Sequence, residues 1–216
     1  METKEITRTR GGAFLLQETH PENVFTPEDF SEEQRMMRDA VKEFIDREVW
    51  PNKHRFEQKD YDFTFELMRK AGELGFLGIG VPEAYGGLEM GFVSTMLVCD
   101  YFSGATGSLS TAYGAHTGIG IMPIVLYGTE EQKQKYVPKL ASGEEIGCYC
   151  LTEPGAGSDA NSGKTKAVLS DDGTHYKISG QKIWISNAGY ASVMIVFARI
   201  EDDKNITGFI VPYDPG

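Results

Sequence analysis

The chain has 216 residues, 40% of them hydrophobic and 25% charged, which allows one large globular domain or two small ones with a real core. A formal net charge of −11 argues against an electrostatic nucleic-acid binder, because neutralising phosphates takes clustered Lys and Arg. Solubility is the plain reading of that acidity.

Cys99, Cys148 and Cys150 form an odd count without metal-ligand spacing, so no metal site follows and a reducing cytoplasm fits them best. His20, His54, His116 and His175 are scattered, and each is expected as a surface or packed imidazole rather than a ligand. The apolar piece Ala13 to Leu16 is too short for a signal core. No apolar run approaches the roughly 20 residues that span a bilayer.

Residues 1–27 read as an N-terminal extension, 28–145 as a helical domain and 146–216 as a β-domain. Ser31-Glu-Glu-Gln34 is a capping box that starts a helix, whose apolar stripe Met37, Val41, Phe44, Ile45 and Val49 runs until Pro51 ends it. Leu67, Met68, Ala71 and Leu74 make a second stripe that Gly75 terminates. Gly78 to Gly87 holds four glycines and a proline, so it is predicted as a loop. Phe92, Met96 and Cys99 share one face of a third helix, and the small residues from Ala105 to Ile124 predict close helix packing. A second capping box, Thr129-Glu-Glu-Gln132, opens a short helix that Pro138 limits.

Near residue 145 the apolar period changes from about 3.6 to 2, the mark of a domain boundary. Strands are predicted over Ile146 to Thr152, Gly163 to Leu169, His175 to Asn187, Ser192 to Ile200 and Ile206 to Val211. Val193 to Ala198 is apolar throughout, as expected of a strand buried on both faces. The fold class is therefore α+β: an all-helical N-terminal domain followed by an incomplete antiparallel β-sheet or barrel, ending at Gly216 without a closing element.

Two stretches carry the chemistry. In Cys150-Leu-Thr-Glu-Pro-Gly-Ala-Gly-Ser-Asp159 a strand runs into a glycine-rich loop that ends in a hydroxyl and a carboxylate. Glycines let backbone amides approach an anion, but they also mark ordinary turns, and the residues alone leave both readings open. In Ser179-Gly-Gln-Lys-Ile-Trp-Ile-Ser-Asn187, strand alternation puts Trp184 and Ser186 on one face. With Thr152 on a neighbouring strand they would make an aromatic wall with two donors for a planar cofactor. Spacing alone favours a core tryptophan instead.

Cys150 to Ser162 resembles the first signature of the acyl-CoA dehydrogenase family, and Gly180-Gln-Lys-Ile-Trp-Ile-Ser-Asn187 resembles its following flavin-contact strand. Ser31 to Arg38, Val81 to Gly87 and Gly128 to Lys135 are also similar to family patterns, so the resemblance covers residues 28 to 216. It implies FAD lodged between the β-domain and a C-terminal helical bundle that the 216 residues do not contain. It implies cofactor contacts at Tyr149, Leu151, Thr152, Gly157, Ser158, Trp184, Ile185 and Ser186, with Ser158 also on the acyl-CoA side. Ser186 stands where relatives carry Thr and keeps the hydroxyl. Glu153 and Asp159 are expected to hold the loop, and Cys150 to pack.

The family reaction is α,β-desaturation of an acyl-CoA thioester with hydride transfer to FAD. The resemblance implies a Glu base beyond Gly216, so no catalytic residue is expected in this chain. It further implies an electron-transfer flavoprotein as acceptor and a homo-oligomer for the intact enzyme. An acyl-CoA oxidase or flavin monooxygenase shares both motifs, and a non-catalytic fragment is the reading from another class. The extension Gly11 to His20 is similar to that of very-long-chain members.

Overall fold

The computed structural model describes residue 9 and residues 11–213. The predicted end of the chain at Gly216 lies outside the described residues.

Helix α1, Glu32–Phe44, begins where the capping box predicts: the Gln34 amide donates to Ser31 Oγ at 3.1 Å and the Ser31 amide donates to Gln34 Oε1 at 3.0 Å. Pro51 does not end the helical path. A π turn, Ile45–Val49, and a 3-10 turn, Trp50–Asn52, lead into α2, Lys53–Glu57, because proline fits a first turn, where its missing N–H has no partner to lose. Helix α3, Tyr61–Glu73, is capped by Asp60 and ends at Gly75, whose φ of +80° is left-handed.

The loop Gly78 to Gly87 is as predicted, with Ile79 and Val81 driven into the core. Helix α4, Gly91–Ala105, is followed by α5, Gly107–Gly114, a π-helix, Ala115–Ile121, and α6, Met122–Tyr127. Helix α7, Glu130–Ser142, carries the second capping box but runs through Pro138 rather than stopping there. A proline removes only one turn bond, and burial of Val137, Leu140 and Ala141 holds the helix until Gly143, φ +76°.

The helical core is aromatic. Phe102 stacks on Tyr113 at 4.0 Å between ring centroids, and the Tyr113 hydroxyl donates to the Phe76 carbonyl. Such a buried ring needs a partner for its polar tip.

Among the described residues the sheet has five strands: β1, Gly147–Cys150; β2, Lys166–Leu169; β3, Tyr176–Ser179; β4, Val193–Ile200; and β5, Ile206–Pro212. The helical region followed by an open sheet agrees with the expected class. The sheet is mixed, however: β1 and β2 both run parallel to β4, sharing one of its edges, while β5 pairs antiparallel along the other. Alternation specifies faces, not directions, and the long connections 151–165 and 180–192 provide the crossovers that parallel neighbours require.

On one sheet face Val193 and Ile195 pack with Tyr149 and Phe197 against α6 and α7. On the other, Cys148, Cys150, Met194 and Val196 are covered by Ile185 and Ala191. Only half of the apolar run in β4 is fully buried.

Candidate functional site

The strand predicted through Asn187 stops at Ser179. Residues 180–192 are irregular, and both Trp184, φ +57°, and Asn187, φ +69°, are left-handed. Trp184 and Ser186 therefore do not share a strand face. Gly180, the first residue past the strand, packs closely on Thr165: a Cβ there would lie 2.3 Å from Thr165 Oγ1. Nor is Trp184 a core residue, as spacing alone favoured: it is 88% exposed.

The two signature stretches do meet. The Ile183 amide donates to the Thr152 carbonyl at 3.0 Å, and Lys182 Nζ donates to the Leu151 carbonyl at 2.9 Å and to Glu153 Oε1 at 2.8 Å. Glu153, 7% exposed, also accepts the amides of Lys164 and Thr165 across the loop. Burial opposes its ionisation, but these hydrogen bonds outweigh it and hold the carboxyl at about 2. Glu153 thus ties the glycine loop, as expected, and Lys182 is the partner that sequence reasoning missed. A single lysine in that stretch carries no signal of its own.

Tyr149 lies half-buried against Phe197 at 4.8 Å, and Leu151 and Thr152 are half-buried beyond the end of β1. Gly157 and Ser158 are exposed, and a Cβ on Gly155 or Gly157 would meet nothing within 4 Å. Ile185 points into the sheet cluster with Cys148 and Cys150. Ser186 lines a cleft with Asn187, Tyr190 and, from the helices, Tyr61, Ser108 and Thr111. Cys150 packs as expected, its thiol 3.7 Å from that of Cys148.

The helices also line an open apolar cavity of about 410 Å³. Phe76, Ile79, Phe92, Met96, Tyr113 and Met122 line it. Phe92, Met96 and Cys99 share one face of α4 as predicted, and that face forms a wall of the cavity.

His116 is fully buried where the helices meet the sheet. The Gly147 amide donates to its Nδ1 at 3.0 Å, so Nε2 carries the ring proton and donates to the Leu140 carbonyl at 2.9 Å. Burial lowers its pKa to about 4, leaving the ring neutral at pH 7. It is a packed imidazole, as expected. Among the described residues no cluster of three or more His, Cys, Asp or Glu is placed to hold a metal, and no helix is long and apolar enough to cross a membrane.

Residues 31–144 match the family model for the acyl-CoA dehydrogenase N-terminal domain, and residues 148–216 that for the middle domain. A probable acyl-CoA dehydrogenase of Bacillus subtilis is 46% identical over 98% of this chain and 35% of its own. The crystal structure of acyl-CoA dehydrogenase complexed with FAD from Bacillus anthracis superposes with a TM-score of 0.89 at 48% identity, covering 94% of this chain and 35% of that one. A chain in the structure of the electron transferring flavoprotein of Acidaminococcus fermentans matches with a TM-score of 0.79 at 35% identity, over 87% of this chain and 50% of that one. The 216 residues span about a third to a half of these relatives.

Proposed function

The chain belongs to the acyl-CoA dehydrogenase family, and from that premise we propose that it forms the cavity-bearing, flavin-contacting part of an enzyme that desaturates acyl-CoA thioesters between Cα and Cβ. The observation that carries the reading is an exposed, left-handed Trp184 on the segment that Ile183 and Lys182 tie to the open glycine loop.

These residues fit FAD. An uncovered indole suits a planar ring, the hydroxyls of Thr152, Ser158 and Ser186 are donors, and the open backbone at Gly155 and Gly157 admits an anionic pyrophosphate. We assign Tyr149, Leu151, Thr152, Gly157, Ser158, Trp184, Ile185 and Ser186 to the cofactor, with Ser158 reaching acyl-CoA as well. When bound, FAD supplies the acceptor for the β-hydrogen and its electron pair.

The apolar cavity takes the acyl chain, and the Glu153–Lys182 knot keeps the loop rigid so that both reacting C–H bonds stay aligned. The α-proton goes to a carboxylate outside these 216 residues. Glu153 is a poor base, because its oxygens are committed to Lys182 and two amides and its pKa is held at about 2. An electron-transferring flavoprotein is the proposed acceptor, a reading supported by the Acidaminococcus fermentans match.

Titrating FAD into the purified chain tests the cradle. Weak binding that quenches flavin fluorescence, lost in Trp184→Ala, is expected, with no reduction of an acceptor dye on adding octanoyl-CoA. A chain purified with one flavin per polypeptide and able to reduce the dye overturns the outside base. No quenching at any FAD concentration overturns the cradle.

A further inference from the structure

Two buried polar side chains have no part in the function proposed above. His116 sits in the π-helix, and Asn187 ends the second signature stretch. Both close on one glycine. The Gly147 amide donates to His116 Nδ1 at 3.0 Å, and Asn187 Nδ2 donates to the Gly147 carbonyl at 3.4 Å. Asn187 Nδ2 also donates to the Ala112 carbonyl of α5 at 2.9 Å, while its Oδ1 accepts the Tyr190 hydroxyl at 2.7 Å. Asparagine suits the spot, since it tolerates the left-handed backbone that position 187 adopts.

The contact at this point is backbone on backbone. A Cβ built on Gly120 would lie 3.0 Å from the Gly147 carbonyl carbon, and one built on Gly147 would lie 3.0 Å from Gly120 Cα. The π-helix therefore has two working sides. Its Thr117 and Gly118 face the apolar cavity. His116 and Gly120 face β1, two residues before Tyr149. A π turn spaces side chains differently from an α turn and is often found at functional sites.

We infer that His116 and Asn187 are positioning residues, a buried clamp on Gly147 that fixes the acyl cavity in register with the cofactor wall. This rests on the function proposed above. Apolar contacts slide, whereas hydrogen bonds with assigned donors and acceptors fix direction, and buried ones left unmade are strongly disfavoured. A desaturase needs that directionality, because a misplacement of about 1 Å between substrate and cofactor costs on the order of a hundredfold in rate. The neutral ring matters here: only the neutral form accepts at Nδ1 while donating at Nε2.

Ligand coupling tests the clamp separately from binding. FAD affinity is measured by flavin fluorescence with and without saturating octanoyl-CoA, in the unmodified chain, His116→Leu, His116→Gln and Asn187→Ala. If the clamp registers the two half-sites, octanoyl-CoA tightens FAD severalfold in the unmodified chain. His116→Leu and Asn187→Ala then bind each ligand alone within about twofold of it yet lose the coupling, while His116→Gln, which keeps one donor and one acceptor, retains most of it. Hydrogen exchange at the Gly147 amide, fast in His116→Leu and slow in His116→Gln, reports the clamp without any ligand. Should His116→Leu fail to fold, Asn187→Ala carries the same test from the other side. Undiminished coupling in a folded His116→Leu or Asn187→Ala overturns the clamp. Binding of neither ligand by the unmodified chain overturns the proposed function, and the clamp's purpose with it.

Discussion

Two buried polar knots bracket β1, and they are built on opposite principles. At its start, the joint around Gly147 is neutral, made by His116 and Asn187 from two other segments. Just past its end, the knot around Glu153 is ionic, a carboxylate paired with Lys182 and two amides. The joint links layers of the fold, and the knot ties one loop to its neighbour. Neutral groups suit the first task, because a charge between layers would need full pairing from both sides. The second is local enough to surround an ion with donors.

The sharpest way to separate the two is to break the ionic one. Lys182→Met leaves the Glu153 carboxylate buried with its amides but without its cation, and stability is expected to fall by about 3–5 kcal/mol in urea unfolding. Replacing both partners, Glu153→Gln with Lys182→Met, should recover much of that loss, since the cost lies in the orphaned charge. A loss under about 1 kcal/mol in Lys182→Met would mean that water reaches the pair and that the knot is an ordinary surface bridge.

Acid separates them by sign and by window. The ordinary His value of 6.5 is lowered to about 4 in folded His116, so between those values the unfolded chain binds the extra proton. Its contribution is complete above pH 6.5 and is lost as pH falls toward 4, about 2 kcal/mol of it between pH 7 and 5. Glu153 titrates from an ordinary 4.5 to about 2 in the fold, so its contribution holds above pH 4.5 and is lost from there down to 2. Unfolding free energies between pH 7 and 3 should show two successive losses. His116→Gln should remove the upper one and leave the lower. An unmodified chain whose stability is flat from pH 7 to 5 contradicts the buried neutral ring.

Much of this was legible before the structure. The capping boxes at Ser31 and Thr129 and the switch of period near residue 145 are local signals, and local chemistry decided them. Strand directions were not legible, because the same alternation serves a parallel or an antiparallel neighbour. The segment after Ser179 misled for a related reason. Ile183, Trp184 and Ile185 have strand composition, but the crowding of Gly180 against Thr165 and the left-handed turns at Trp184 and Asn187 are tertiary demands. Candidate site residues could be named from the resemblance, but the contacts around them could not: nothing in the spacing of His116, Gly147 and Asn187 announces that they meet.

The smallest expected effect bears most directly on what the fold retains for function. Trp184 is a bulky residue in the left-handed region, a conformation that costs an L-residue about 1–2 kcal/mol, and at 88% exposure it has little packing to offset that cost. Trp184→Ala keeps the strain and should change stability by less than about 0.5 kcal/mol. Trp184→Gly relieves the strain, and after the extra chain entropy of glycine the variant should be more stable than Trp184→Ala by up to about 1 kcal/mol. Thermal unfolding of the two variants checks the order. A loss above about 2 kcal/mol in Trp184→Ala would make the ring a structural element after all. If the order holds, the knots explain how this loop is held, and the indole is kept at some expense to the fold for the cofactor it is proposed to meet.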